Sequence, residues 1–250
     1  MIDSSRGIKG FFNKGAGYWA LDGTPSGLVD QYGNGNNVVT VNSTPSYPII
    51  ASNAGNSGYF FNGATSLHIS IADSATLKPA EFTILAWVRP NVINGSRVIA
   101  VKMRNATILY TFVFYLSTTG KPTFAVWDGA AKIATCTKAC RADEVSLATG
   151  VFTGGQVYSY LNDGQGGTVP VSAGAAIYDA FPFVIGNYTA SPNKFSGVIG
   201  EIAFLPYGIT AQQVSDYYKY ATEPVKKYWD FPESPNKNYL MRSKRSIQTI

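Results

Sequence analysis

The sequence predicts an all-β fold, a two-sheet antiparallel sandwich with one short C-terminal helix and extended terminal arms. Three observations carry that reading. Charged residues make up only 14% of the 250, against 14% aromatics and 25 glycines, a bias that suits strands joined by tight turns. Apolar residues recur in short runs, several of them alternating with polar ones, between Gly, Pro, Asn and Asp, the pattern of strands rather than helices. The helical period is clearest once, late in the chain, where Val214, Tyr217, Tyr218 and Ala221 share one face. Thr210 caps that helix and Gln213 completes a capping box. Hydrophobic residues at 45% support one sizeable core, so a single domain with extensions is expected.

The elements follow in order. Residues 1–15, with Arg6, Lys9 and Lys14 against Asp3, read as an N-terminal arm. The domain, 16–222, opens on a short strand at Tyr18–Leu21. A turn-rich passage to Gly58 holds one or two short strands near Val38–Val41. Leu67, Ile69 and Ile71 alternate with Ser66, His68 and Ser70, which puts the single histidine on the outward face. Phe82–Val88 is apolar on both faces, as an interior strand is, with Trp87 as its anchor. Val98–Lys102 continues the pattern. Tyr110–Leu116 and Thr123–Trp127 form a hairpin across Gly120-Lys121-Pro122. Ile133–Cys136, Val145–Phe152 and Gln156–Leu161 come next, the last running into the turn Asn162-Asp163-Gly164. Pro182–Gly186 leads through a polar loop into a central strand over 199–204, for about twelve strands in all.

Two blocks carry a family resemblance. Tyr59–Pro90 has the order F-x-G, strand, Leu, then Phe-Thr-hydrophobic and Trp-Val-x-Pro. Phe195–Ala221 has F-x-G, a strand with one acid, a bend, and a Thr-capped helix ending in tyrosines. Together they resemble the LamG-like jelly-roll domains of the concanavalin A-like lectin/glucanase superfamily, and the resemblance covers most of 16–222. Asn162-Asp163-Gly164 resembles that family's hairpin, although the strand before it lacks the Trp-His pair many members carry. The fold implied serves enzymes, lectins, adhesion modules and structural parts alike.

The chemistry points away from catalysis. The glucanase branch needs paired carboxylates on alternate residues of one strand, whereas Glu201 stands alone on its strand and the adjacent acids are Asp143-Glu144. His68 is the only imidazole, in a Ser-rich strand, so a nucleophilic triad is not expected. No cofactor is expected, with calcium as the alternative: Asp128, Asp163, Asn187 and Asn193 supply rim oxygens, while the acid that often precedes the closing-strand acid in the family is Gly200 here. Glycan binding without metal would use Trp127 or Tyr188 as a stacking platform and Asn187 or Asn193 as hydrogen-bonding groups, against the reading that Trp127 belongs to the core. Cys136 and Cys140 cannot build a four-ligand zinc site with one histidine; a disulfide across their short loop is open to an extracellular particle, whereas cytosolic synthesis favours free thiols.

The opening residues hold no secretory h-region and no stretch reaches a membrane span. The +5 net charge is scattered, arguing against nucleic acid as partner. Residues 223–250 hold six basic and three acidic residues with Tyr228, Trp229, Phe231 and Tyr239 among them, followed by Arg242, Lys244 and Arg245. That mixture suits docking onto a protein partner. A jelly roll with partner-seeking ends and no export signal resembles structural components of tailed-bacteriophage virions: decoration proteins, head fibres or tail adhesins. The expectation is a non-enzymatic virion protein, homo-oligomeric or lattice-bound and with virion proteins as partners. The alternative is a carbohydrate-binding module on an extracellular or cell surface.

Overall fold

The computed structural model describes residues 7–21, 25–41, 44–46, 58–63, 67–104, 109–164, 171–187 and 194–222. Fifteen strands lie among them. They are β1 (Gly17–Trp19), β2 (Val38–Val41), β3 (Thr44–Ser46), β4 (Gly58–Asn62), β5 (Ile69–Ile71), β6 (Phe82–Pro90), β7 (Arg97–Met103) and β8 (Tyr110–Leu116), then β9 (Pro122–Trp127), β10 (Ala131–Thr135), β11 (Ser146–Thr153), β12 (Gln156–Leu161), β13 (Val171–Ser172), β14 (Phe183–Ile185) and β15 (Ser196–Leu205). The α-helices are the single turn α1 (Ile8–Phe11) and α2 (Ala211–Thr222), with short 3-10 turns at Pro25–Leu28 and Ala75–Leu77. The eight-stranded sheet runs β13-β12-β11-β6-β15-β4-β3, with β1 pairing the second half of β15. The seven-stranded sheet runs β10-β9-β8-β7-β14-β5-β2. All ladders between named strands are antiparallel. The fold is the expected sandwich, and the strands beyond the expected twelve are mostly three residues or fewer.

Alternation builds the core. Phe82 and Phe204 stack at 5.6 Å, and Phe112, Phe124 and Phe183 close around them from the opposite sheet. Each is essentially inaccessible to water, worth about 1.5–3 kcal/mol apiece. Gly150 lies under Phe124, where a Cβ would sit 2.6 Å from the ring, so two sheets meet closely there because one residue has no side chain.

Strands β6, β11 and β15 are apolar on both faces because the eight-stranded sheet is covered outside as well. Leu85, Trp87, Leu147, Val151, Ala203 and Leu205 pack there against Val214, Tyr217 and Ala221 of α2 and against Ile8 and Phe12. The capping box forms as expected: Gln213 N–H donates to Thr210 Oγ1 at 3.2 Å, and Thr210 N–H donates to Gln213 Oε1 at 2.9 Å. Trp87 faces this helix rather than the space between the sheets, donating from Nε1 to Tyr217 Oη at 2.8 Å. The described part of the expected N-terminal arm, residues 7–15, lies on the same surface. Ile8 and Phe12 are buried, and Ile8 N–H donates to Glu201 Oε2 at 3.0 Å. Glu201, the lone acid of the closing strand, thus holds the chain's entry segment; it sits at the β15 bulge between Ile199 and Ile202.

Candidate functional site

The outer face of the seven-stranded sheet differs from its counterpart. On β9, Phe124 and Val126 point into the core, so Thr123, Ala125 and Trp127 point out. Val98, Val101 and Met103 of β7, Val113 of β8, Ala125 of β9 and Val184 of β14 form a floor of apolar side chains, all of them buried, with the partly buried Tyr110, Tyr115 and Phe181 packed against it. Among the described residues every member of this cluster comes from the sheet itself or from its approach at Phe181; no described helix covers it.

Trp127 marks one end of the floor. It is half-buried and meets Tyr110 edge-on, ring centroids 6.2 Å apart. Its carbonyl accepts from Ile177 N–H at 3.1 Å, and Thr111 Oγ1 donates to Ile177 O at 2.8 Å, so the approach to β14 fixes this corner. Arg104 pairs with Asp179 at 3.0 Å on the same side. Burial, and for Tyr110 also the neighbouring Tyr115, raises both phenol pKa values, so both rings stay neutral at physiological pH. Trp127 is therefore an outer-face residue, not a member of the inter-sheet core.

Asn187 lies at the other end. It follows Gly186, whose N–H donates to Ile99 O, while Tyr110 pairs with Met103 at the opposite end of β7. The structure does not bring Trp127 and Asn187 together; four residues of strand between Ile99 and Met103 span about 13 Å. Tyr188 and Asn193 lie outside the described residues, as do Tyr228, Trp229, Phe231, Tyr239, Arg242, Lys244 and Arg245. His68 stands half-buried just before β5.

Of the calcium candidates, Asn193 lies outside the described residues. Asp128 accepts from Ala130 N–H at 3.2 Å and Gly174 N–H at 2.7 Å, and Asp163 sits beside Tyr218 on the other sheet's side. Among the described residues no three Asp, Glu, His or Cys side chains gather to hold a metal ion. Cys136 and Cys140 are both buried; burial raises both thiols, Cys140 to about 12.

Two structural polar centres escaped sequence reasoning. Asp30, 3% exposed, accepts from the N–H groups of Tyr18, Tyr32, Asn34 and Asn36, and Asn36 O accepts from Trp19 Nε1 at 2.8 Å. The Asp followed by Gly-Asn-Gly-Asn-Asn was the available signal, since such residues wrap turns around a side-chain oxygen. Lys102 is fully buried and bonds Asp73 and Phe181 O, with Lys78 2.6 Å from the same carboxylate. Nothing in a strand's sequence marks such an inward lysine.

Comparisons with known proteins agree with this architecture. A laminin G family model, described as concanavalin A-like lectin/glucanases superfamily, matches residues 62–215. No curated protein sequence matches the chain. Among solved structures, the binding domain of Paraclostridial Mosquitocidal Protein 1 superposes with a TM-score of 0.65 at 11% identity, covering 84% of this chain and 52% of that one. The botulinum neurotoxin type G receptor binding domain gives 0.58 at 12%, covering 82% and 51%. Domain 4 of AbnA, an extracellular arabinanase from Geobacillus stearothermophilus solved with arabinotriose, gives 0.58 at 16%, covering 82% and 98%. The chain spans about half the length of the toxin binding domains it matches, and at these identities the likeness is one of fold. With more than half of its residues matched by the family model, the chain belongs to the laminin G-like domains of the concanavalin A-like lectin/glucanase superfamily.

Proposed function

We propose that this chain is a non-enzymatic binding module that engages a glycan on the outer face of its seven-stranded sheet. One observation carries the reading: Trp127 and Tyr110, both half-buried, meet edge-on beside the outer face of the seven-stranded sheet, whereas the other sheet's outer face is filled by α1 and α2. Aromatic rings with one edge open to solvent suit the faces of sugar rings. The receptor-binding and arabinotriose-bound neighbours support the same class of activity. Catalysis is disfavoured because Glu201, the one acid of β15, is engaged with Ile8 N–H beneath the entry segment.

The test is a glycan array probed with the full chain and with Trp127→Ala. Binding by the wild type that drops at least about tenfold in the variant, with an unchanged melting curve, is the expected result. Equal binding by both proteins would remove the face from consideration.

The setting we propose is a tailed-phage virion, as decoration protein, head fibre or tail adhesin, with 223–250 as the attachment. Its aromatic and basic residues support this. Deleting 224–250 is expected to abolish incorporation into particles while leaving the domain folded; normal assembly of the truncated protein would refute the attachment role.

A further inference from the structure

At the Trp127 corner the structure sets an ion pair beside the two rings. Arg104 follows Met103 at the end of β7, and its N–H donates to Leu109 O at 2.9 Å, immediately before Tyr110. Asp179 lies two residues beyond Ile177, whose N–H donates to Trp127 O at 3.1 Å, so at most about 7 Å of chain separates Asp179 from that contact. The pairing is single-armed: Arg104 Nε donates to Asp179 Oδ2 at 3.0 Å. Among the described residues neither Arg104 Nη group nor Asp179 Oδ1 has a hydrogen-bond partner, and none of the three is a buried atom. All three therefore reach water, in side chains 17% and 43% exposed. The corner presents a donor fork and an acceptor side by side, without net charge, next to two half-buried aromatic rings.

We propose that Arg104 and Asp179 are the polar half of the Trp127 site and read two adjacent hydroxyls of a neutral sugar, the Nη groups donating to the hydroxyl oxygens and Asp179 Oδ1 accepting from one hydroxyl. The inference rests on the glycan reading above and names its substrate class: neutral glycans with a free vicinal diol. A hydroxyl both donates and accepts, so adjacent hydroxyls complement a fixed donor and acceptor, and the planar guanidinium holds its donors in one geometry. The pair cancels its own charge. The carboxylate of a uronic or sialic acid would meet Asp179 as a like charge, which selects against acidic chains. An ion pair this open to water contributes little to the fold, so it can be removed with the domain intact.

The experiment uses the full chain against immobilised neutral arabinan, galactan and xylan, their per-O-methylated forms, and the acidic polymers polygalacturonate and hyaluronate. At least one neutral polymer is expected to bind, at least about tenfold more tightly than its methylated form and than both acidic polymers. A double variant, Arg104→Met with Asp179→Leu, should lose at least about tenfold of that binding with an unchanged melting curve. Binding of a neutral polymer that falls in Trp127→Ala but persists in the double variant would overturn the role of the pair while the glycan reading stands. Equal binding of the methylated form, or tighter binding of an acidic polymer, would overturn the diol assignment and likewise leave the glycan reading standing. Binding to none of the polymers would overturn the glycan reading and this inference together.

Discussion

Lys102 and Asp73 show how a single buried charge sets the behaviour of its surroundings. Burial alone would raise the Asp73 pKa, but hydrogen bonds and charge from Lys102 and Lys78 outweigh it and hold the carboxyl below its ordinary 3.8. A depressed acid stabilises the fold above its unfolded-state value, and that contribution is lost as pH falls through the folded one. Stability should accordingly decline as the pH drops below about 4, and the decline should flatten in Lys102→Met; urea titrations at several acidic pH values would reveal it. The two partners are not equivalent. Asp73→Ala leaves a fully buried ammonium uncompensated and is expected to cost about 3–5 kcal/mol, whereas Lys102→Met replaces the charge by a similar apolar shape and should lie within about 1–2 kcal/mol of wild type. Equal losses in the two variants would contradict this account. Gly197 presents a different constraint at the same scale: its φ is +135° and a Cβ would lie 2.2 Å from Arg89 O. Gly197→Ala should therefore lose about 3 kcal/mol or more in thermal or urea unfolding. Cys140, buried and with its thiol raised to about 12, should resist thiol reagents until the protein unfolds, as timed labelling with and without denaturant would show.

At the scale of elements, α2 is the part whose sequence and structure correspond most closely. Its start at the Thr210–Gln213 box and its buried face of Val214, Tyr217 and Ala221 follow from local residue types alone. Thr210→Ala is expected to cost about 1 kcal/mol, and Tyr217→Phe about 1–2 kcal/mol by leaving Trp87 Nε1 without its acceptor; a melting-temperature series would separate them. The long strands were equally legible, since period-two alternation is local. What was not legible depends on pairing between distant residues. The docking of 7–12 needs Glu201, 193 positions away from Ile8. Lys102 is inward because Asp73 meets it from another strand's end. Trp127 is outward by alternation with Phe124 and Val126, a reading the sequence allowed but could not decide, because both faces of an interior strand can be apolar. The remaining glycan candidates Tyr188 and Asn193 fall outside the described residues, so the site is legible only at its Trp127 end.

For the whole molecule, the two outer faces divide the work. The eight-stranded sheet carries α1 and α2 and supplies a second apolar cluster worth of packing; the seven-stranded sheet's outer cluster is buried with no described helix among its members. Ligand binding should therefore leave the helical side undisturbed, and amide exchange in the presence of a bound glycan is expected to slow on β7, β8, β9 and β14 while α2 is unchanged. Protection confined to α2 would place the ligand on the wrong side.

The position of α1 has a further consequence. Phe11 lies against Tyr217 and Tyr220 of α2, ring centroids 5.6 and 5.5 Å apart, so the chain enters and leaves the sandwich at one corner. A unit whose ends are neighbours can be spliced into a surface loop of another protein, or opened elsewhere and rejoined at 7 and 222, with little distortion of either sheet.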